Sequence, residues 1–348
     1  MLSAFVRAIG TATPPHDIHH AFIDWASARI DPDMRPVFRR MASRAGIGHR
    51  WSVLADPVGP GGFYADRMPG TEARMAVYAD RAPALALDAV EALAQQIDCG
   101  GITHLVVASC TGFVAPGIDQ ILARSLGLSP SVERTLIGFM GCYAAAAALR
   151  KARHIVRSEP MARVLVVTVE LSTLHLQDTH AIEPLLAMLQ FGDGAAAALV
   201  TSEAGGIALG TPFAAALPDS ADLIRWTITD QGFAMHLDGA VPGRIGHALA
   251  DPAFVARITG GLQPGELFWA VHAGGRSILD AVGHALALPP DALAQSRRVL
   301  AEKGNMSSVT LMAVLAAMLA DPPPQRQGVA LAFGPGLAAE GLALEHVG

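Results

Sequence analysis

The chain has 348 residues, of which 25 are basic and 31 acidic, giving a formal net charge of −6, with 51% hydrophobic and only 16% charged residues. That composition excludes an intrinsically disordered chain, and mild acidity without a basic block excludes binding driven by the nucleic-acid backbone. Mean hydropathy is +0.37, yet no run reaches the roughly 18 uninterrupted apolar residues of a membrane span. The longest, Val309 to Ala320, predicts a buried helix. At roughly 150 residues per domain the length suggests about two structural units. Arg7 interrupts the first apolar stretch and no basic leader precedes it, so no signal or transit segment is expected. Three cysteines without paired spacing argue against a disulfide framework and for a cytoplasmic protein. With no CxxC or HExxH and scattered histidines, no metal site is expected.

In chain order, a helix is predicted over Ala82–Ile97 and a buried strand over His104–Ser109. A helix over Ile118–Leu126 and a second over Tyr143–Val156, led by Cys142, come next. Strands over Val164–Val169 and, after FGDG, Ala195–Thr201 end the first half. The second half repeats the order: strand Leu267–His272, helix Ser277–Ala287, helix Ser307–Leu319 led by Asn305, strand Val329–Phe333, then FGPG and a final strand. The strands are continuous β-branched runs, as in buried sheets, and their alternation with helices indicates α/β architecture. The repeated order indicates an internal duplication joined near Ser202–Gly206.

Cys142 lies in GFMGCYAAAAALRKA, where Gly138 and Gly141 allow a tight turn and the alanines begin a helix. A cysteine at a helix N-terminus meets unsatisfied N–H groups and the positive dipole end, which favours thiolate; the alternative is a small buried thiol. His272 ends the strand LFWAVH, where α/β proteins place ligand contacts, or else it is a satisfied core histidine. Asn305 precedes an apolar helix and is otherwise an N-cap. Together Cys, His and Asn at equivalent junctions supply a nucleophile, its proton partner and two donors for a developing oxyanion. Cys99 and Cys110 read as structural, and His16, His19 and His20 as solvated.

With these residues in place, the sequence resembles the type III polyketide synthases, the chalcone synthase-like family. The matching stretches are RAIGTATP, THLVVASCTG, PGIDQIL, GCYAAAAALR, VLVVTVE, QFGDGAAA, LPDS, VHAGGRSILDAV, GNMSSVTL and AFGPGL. The resemblance implies a thiolase-like five-layer αβαβα fold with pseudo-duplicated halves, residues 1–203 carrying the nucleophile and 204–348 the His and Asn. It implies that Cys142 is acylated by a starter acyl-CoA, that His272 and Asn305 hold the malonyl-CoA thioester carbonyl, and that Phe191 is a gatekeeping aromatic. By the same resemblance Cys110, Thr111, His175, Trp226, Met235 and Ser307 line the substrate cavity, and Arg39, Arg40 and Arg44 meet coenzyme A phosphates. It further implies a homodimer, with coenzyme A thioesters as substrates and no cofactor.

Against the plant pattern, Met235 replaces a second gating phenylalanine and Trp226 a small cavity glycine. His175 and Cys110 stand where threonines line the cavity, and Ala115 where a methionine reaches across the dimer. A bacterial-type enzyme making a pyrone, resorcinol or phloroglucinol is expected. The rivals are an initiating ketoacyl-carrier-protein synthase, which resembles GNMSS and FGPG less well, a papain-like protease, against which the strand–helix repetition argues, and an inactive thiolase-fold scaffold.

Overall fold

The computed structural model describes residues 3–347. The chain opens with β1 (Phe5–Ala12), β2 (His16–Asp17), α1 (His19–Arg29), α2 (Arg35–Ser43) and β3 (Trp51–Ser52). It continues with α3 (Thr71–Ala94), β4 (His104–Ser109), α4 (Ile118–Ser125), β5 (Glu133–Gly138) and α5 (Ala144–Ser158). β6 (Val164–Leu171), α6 (Ile182–Met188) and β7 (Asp193–Thr201) complete the first half. The second half begins with β8 (Gly206–Ala216), β9 (Ile224–Thr229), β10 (Gly232–Leu237), α7 (Val241–Leu249) and α8 (Pro252–Thr259). It ends with β11 (Phe268–Val271), α9 (Arg276–Ala285), α10 (Ala294–Lys303), α11 (Ser308–Ala320), β12 (Gln327–Gly334) and β13 (Ala338–Val347).

Nine strands form one mixed sheet in the order β11-β12-β13-β8-β1-β7-β6-β4-β5. Reading outward from its centre exposes the duplication. In the first half β1 and β7 are antiparallel, β7 and β6 antiparallel, β6 and β4 parallel. In the second, β8 and β13, β13 and β12, and β12 and β11 repeat that sequence of senses. The halves are stitched at Phe5↔Ala208 and Val6↔Ile207.

Side-chain alternation along the strands builds the layers. Val106 and Ala108 face the cluster that holds α5 and α11, whereas Leu105 and Val107 face α3 and α4. In the other half Ala330 and Ala332 face α5 and α11, while Val329, Leu331 and Phe333 face α7, α8 and α9. Helix, sheet, helix, sheet, helix is the thiolase-like five-layer arrangement that the resemblance implies. The two central helices suit their place: Ala144–Ala148 are all buried, and α11 is apolar on every side. Their N-termini bring Cys142 and Asn305 to the same level. In the duplicated register, His272 follows β11 where Cys110 follows β4.

α3 begins at Thr71, eleven residues before the predicted start, and carries Pro83 within it. The buried positions in its first turns are Arg74 and Tyr78, so a charged residue interrupts the apolar stripe there.

Candidate active site

Cys142 lies in a tight turn ahead of α5. The left-handed conformations there belong to Phe139 (φ +57°) and Gly141 (φ +71°), not to Gly138, which closes β5. A Cβ on Gly141 would come within 2.6 Å of the Pro335 ring, so glycine is required for FGPG to pack against this turn.

Asn305 is fixed by main-chain bonds to the segment that carries Phe191: its N–H donates to Gln190 O at 2.8 Å, and Gly192 N–H donates to Asn305 O at 3.0 Å. Its Nδ2 donates to Gly274 O at 3.2 Å, and its Oδ1 accepts from Ser307 N–H at 2.8 Å. Ser307 sits at φ +49°, a conformation non-glycine residues adopt at a cost. A Cβ on Gly275 would meet only the Gln190 side-chain amide, with Oε1 at 2.4 Å.

Burial raises the Cys142 thiol to about 11, although the Ser307 and Asn305 side chains pull it back toward thiolate. Burial thus opposes the thiolate that a helix N-terminus favours. Burial likewise lowers His272 to about 3. Its ring is 1% exposed, and neither ring nitrogen has a hydrogen-bond partner among the described residues. Each charge alone is disfavoured.

Glu170, at the end of VLVVTVE, is the buried residue behind this site that the sequence reading left without a role. Its Oε1 accepts from Ser308 Oγ at 2.5 Å and from Cys110 Sγ at 3.2 Å. Its Oε2 accepts from Cys110 N–H at 3.0 Å and from Thr111 Oγ1 at 2.9 Å. Thr111 is thereby turned into this network. Cys110 also reaches Ser307 Oγ at 3.4 Å.

Two chambers share a wall. One, about 350 Å³ including its open side, is lined by Cys110, Phe139, Cys142, Phe191, Trp226, Met235 and Ser307. The other, about 710 Å³ including its open side, lies beyond Phe191, Trp226 and Met235 and is lined also by Arg50, Ser172, His175 and Phe233. Met235 and Trp226 face each other across the β9–β10 hairpin. His175 belongs to the second chamber. Its Nε2–H donates to Thr111 O at 2.7 Å, its Nδ1 accepts from Phe233 N–H at 3.0 Å, and its ring stacks on Phe233 at 4.2 Å. Burial lowers it to about 4.

Arg39 and Arg40 on α2 and Arg44 just beyond its end are exposed. Arg39 pairs with Asp24 at 2.8 Å. Between them Met41 borders a surface depression shared with Gln190, Leu237 and Ser277. His19 is not solvated as its sequence suggested: it is 2% exposed and its Nδ1 accepts from Arg50 Nε at 3.1 Å. His104, Glu133 and Glu159 form the one trio of metal-type donors among the described residues, with Nε2–carboxylate distances of 3.6 and 3.8 Å, at the opposite end of β4 from Cys110.

No described helix is long and apolar enough to cross a membrane. The models of the chalcone and stilbene synthase N-terminal and C-terminal domains match residues 2–204 and 209–348. Bisdemethoxycurcumin synthase of Oryza sativa subsp. japonica is 34% identical over 98% of this chain and 92% of its own length. The alpha-pyrone synthesis polyketide synthase-like Pks18 of Mycobacterium tuberculosis is 31% identical over 99% and 91%. Among solved structures, the C-terminal type III polyketide synthase domain of Steely1 from Dictyostelium superposes with a TM-score of 0.92 at 26% identity, over 99% of this chain and 100% of that one. Family models covering both halves, together with these full-length relatives, place the chain in the chalcone and stilbene synthase family: it is a type III polyketide synthase.

Proposed function

We propose that the chain extends an acyl-CoA starter with malonyl-CoA on Cys142 and releases a pyrone-, resorcinol- or phloroglucinol-type product. The observation that carries this reading is that Asn305, which bears on the Cys142 thiol, also bonds Gly274 O on the loop of His272, whose two buried ring nitrogens have no protein partner. Cys142 attacks the starter thioester while its proton passes to His272, and coenzyme A leaves. Malonyl-CoA then loses carbon dioxide, and donors on His272 and Asn305 stabilise the enolate oxygen. Such preorganised donors are worth about 3–4 kcal/mol each in a dry site. Phe191 gives the malonyl carboxylate an apolar neighbour that favours its loss. The enolate carbon attacks the acyl-cysteine, and the longer chain returns to the thiol. Residues 1–203 supply the nucleophile, and 204–348 supply the oxyanion pair.

Arg40 and Arg44 flank Met41, which borders the surface depression reaching Gln190, the neighbour of Phe191. This path admits the thioester arm with the coenzyme phosphates near the arginines. The large apolar residues Phe113, Leu136 and Phe139 are exposed on and around edge strand β5, and Phe139 also lines the Cys142 chamber. A second copy of the chain covers this face, in a cytoplasmic homodimer. The test is incubation with acyl-CoAs of graded length plus malonyl-CoA, with products identified by mass. Condensation on coenzyme A thioesters without a carrier protein supports the reading; no condensation with any starter overturns it.

A further inference from the structure

At the end of β4 remote from the active site, His104, Glu133 and Glu159 meet at a surface depression. Three elements bring them together. His104 opens β4, Glu133 opens β5 directly across from it in parallel register, and Glu159 caps the C-terminus of α5. The main chain under each is fixed: His104 N–H donates to Arg163 O at 3.3 Å, Glu133 N–H to Thr103 O at 3.1 Å, and Glu159 N–H to Ile155 O at 2.7 Å. His104 is 5% exposed, whereas both glutamates reach solvent. The Thr103 hydroxyl accepts from Arg163 N–H at 3.0 Å and donates to Arg163 O at 3.3 Å, so its 2.8 Å bond to the ring is donated by Nδ1–H. Nε2 then carries a lone pair, and it faces Glu133 Oε2 and Glu159 Oε2, 3.6 and 3.8 Å away. In the other tautomer an Nε2–H would still be too far from either oxygen to bond it. Lys151 and His154 also line the depression, but the ion pairs of the two glutamates among the described residues are those with His104. Three acceptors thus converge with no donor bonded between them, and Glu159 adds its charge at the negative end of the α5 dipole.

We propose that these three side chains hold a divalent transition-metal ion of the zinc class, which ties β5 and the end of α5 to β4. The distances suit a shared cation better than a direct bond. Zinc binds imidazole nitrogen and carboxylate oxygen at about 2.0–2.2 Å, which in a tetrahedron separates neighbouring ligands by roughly 3.3–3.6 Å. The two nitrogen–oxygen separations lie at or just beyond that range, and the three donor atoms all fall within 4.8 Å of one another. The exposed carboxylate arms supply the small adjustment. Thr103 holds the ring from its far nitrogen, as the hydrogen-bond partner of a metal-binding histidine does. An imidazole among the ligands selects zinc over magnesium or calcium, which take oxygen. His154 or water completes the coordination. No spacing motif in the sequence announces the site, because each ligand comes from a different element. The ion sits at the opposite end of β4 from Cys110 and takes no part in condensation.

The experiment takes the full chain, treats it with EDTA, exchanges it into chelator-free buffer and titrates it calorimetrically with Zn²⁺ and with Mg²⁺. A single equivalent of Zn²⁺ should bind and Mg²⁺ should not. Zn²⁺ at about 100 times its Kd should raise the melting temperature by about 4 °C. Glu133→Gln and Glu159→Gln alter exposed side chains and leave the fold intact. Each should weaken Zn²⁺ binding at least about 10-fold, and His104→Gln should abolish it. The melting shift should shrink in step. Undetectable Zn²⁺ binding overturns the proposal. Binding at undiminished affinity in both glutamate variants also overturns it, since the ion would then sit on other histidines or cysteines. So does binding that leaves the melting temperature of the unmodified chain unchanged. Binding that survives His104→Gln and is shared by Mg²⁺ is carboxylate attraction alone and overturns it as well.

Discussion

The side-chain amide of Asn305 donates to the carbonyl of Gly274 at 3.2 Å, while Gly274 N–H donates to His272 O at 2.9 Å. One amide therefore sets the spacing between the loop that carries His272 and the N-terminus of α11. Asn305→Asp keeps the oxygen that accepts from Ser307 but places an acceptor opposite Gly274. Malonyl-CoA decarboxylation should fall by about 10²–10³. A thermal melt alongside the rate checks that the fold survives.

Cys142→Ala should abolish chain extension, with no acyl-enzyme in the intact-mass spectrum. His272 and Asn305 remain, so part of the malonyl-CoA decarboxylation should persist. Extended products from this variant would remove Cys142 from the role of nucleophile.

Trp226 belongs to the wall of both chambers. Replacing its indole with glycine joins them, so Trp226→Gly should lengthen or enlarge the product, read as a mass increase of one or more extension units. The unmodified enzyme should prefer aliphatic or small acyl starters to coumaroyl-CoA. Unchanged products in the variant would show that the indole does not limit chain length.

His175 is neutral and held at both nitrogens, and burial lowers it from 6.5 to about 4. The unfolded chain binds a proton below about pH 6.5 that the folded chain refuses until about pH 4. Stability should therefore be lost as pH falls through this window, by about 2 kcal/mol from this group at pH 5. His19 and His272 are lowered too and add to the loss with the same sign. Urea unfolding at pH 7 and pH 5 should show a smaller difference for His175→Gln than for the unmodified chain.

Glu170 accepts from four donors with no solvent contact. Glu170→Gln turns one acceptor into a donor facing other donors and should cost about 2–3 kcal/mol, visible as a lower melting temperature.

The central strands were legible because β4 and β6 are unbroken β-branched runs buried on both faces. β5, ERTLIG, was not: it is an edge strand whose side chains are largely accessible, so neither continuity nor apolar alternation marks it. In the β9–β10 hairpin, which carries Trp226 and Met235, β9 is similarly open to solvent, whereas β10 exposes only His236. Cys142, His272 and Asn305 could be singled out because each begins or ends a strongly patterned element. Arg50 could not, since its weight comes from His19, Met188 and Phe191, the latter two some 140 positions away. Glu170 offered one signal, a carboxylate closing an otherwise apolar strand.

The stitching of β1 between β7 and β8 also constrains how the protein is made. Its N-terminal strand has no sheet partner until residues near Val200 and Ala208 have been synthesised. At about 5–20 residues per second that is roughly 10–40 s on the ribosome with an apolar strand unpaired. Pairing of β1 thus waits until translation reaches the end of the first half and the start of the second, and the nascent chain depends throughout that interval on whatever shields β1 from aggregation.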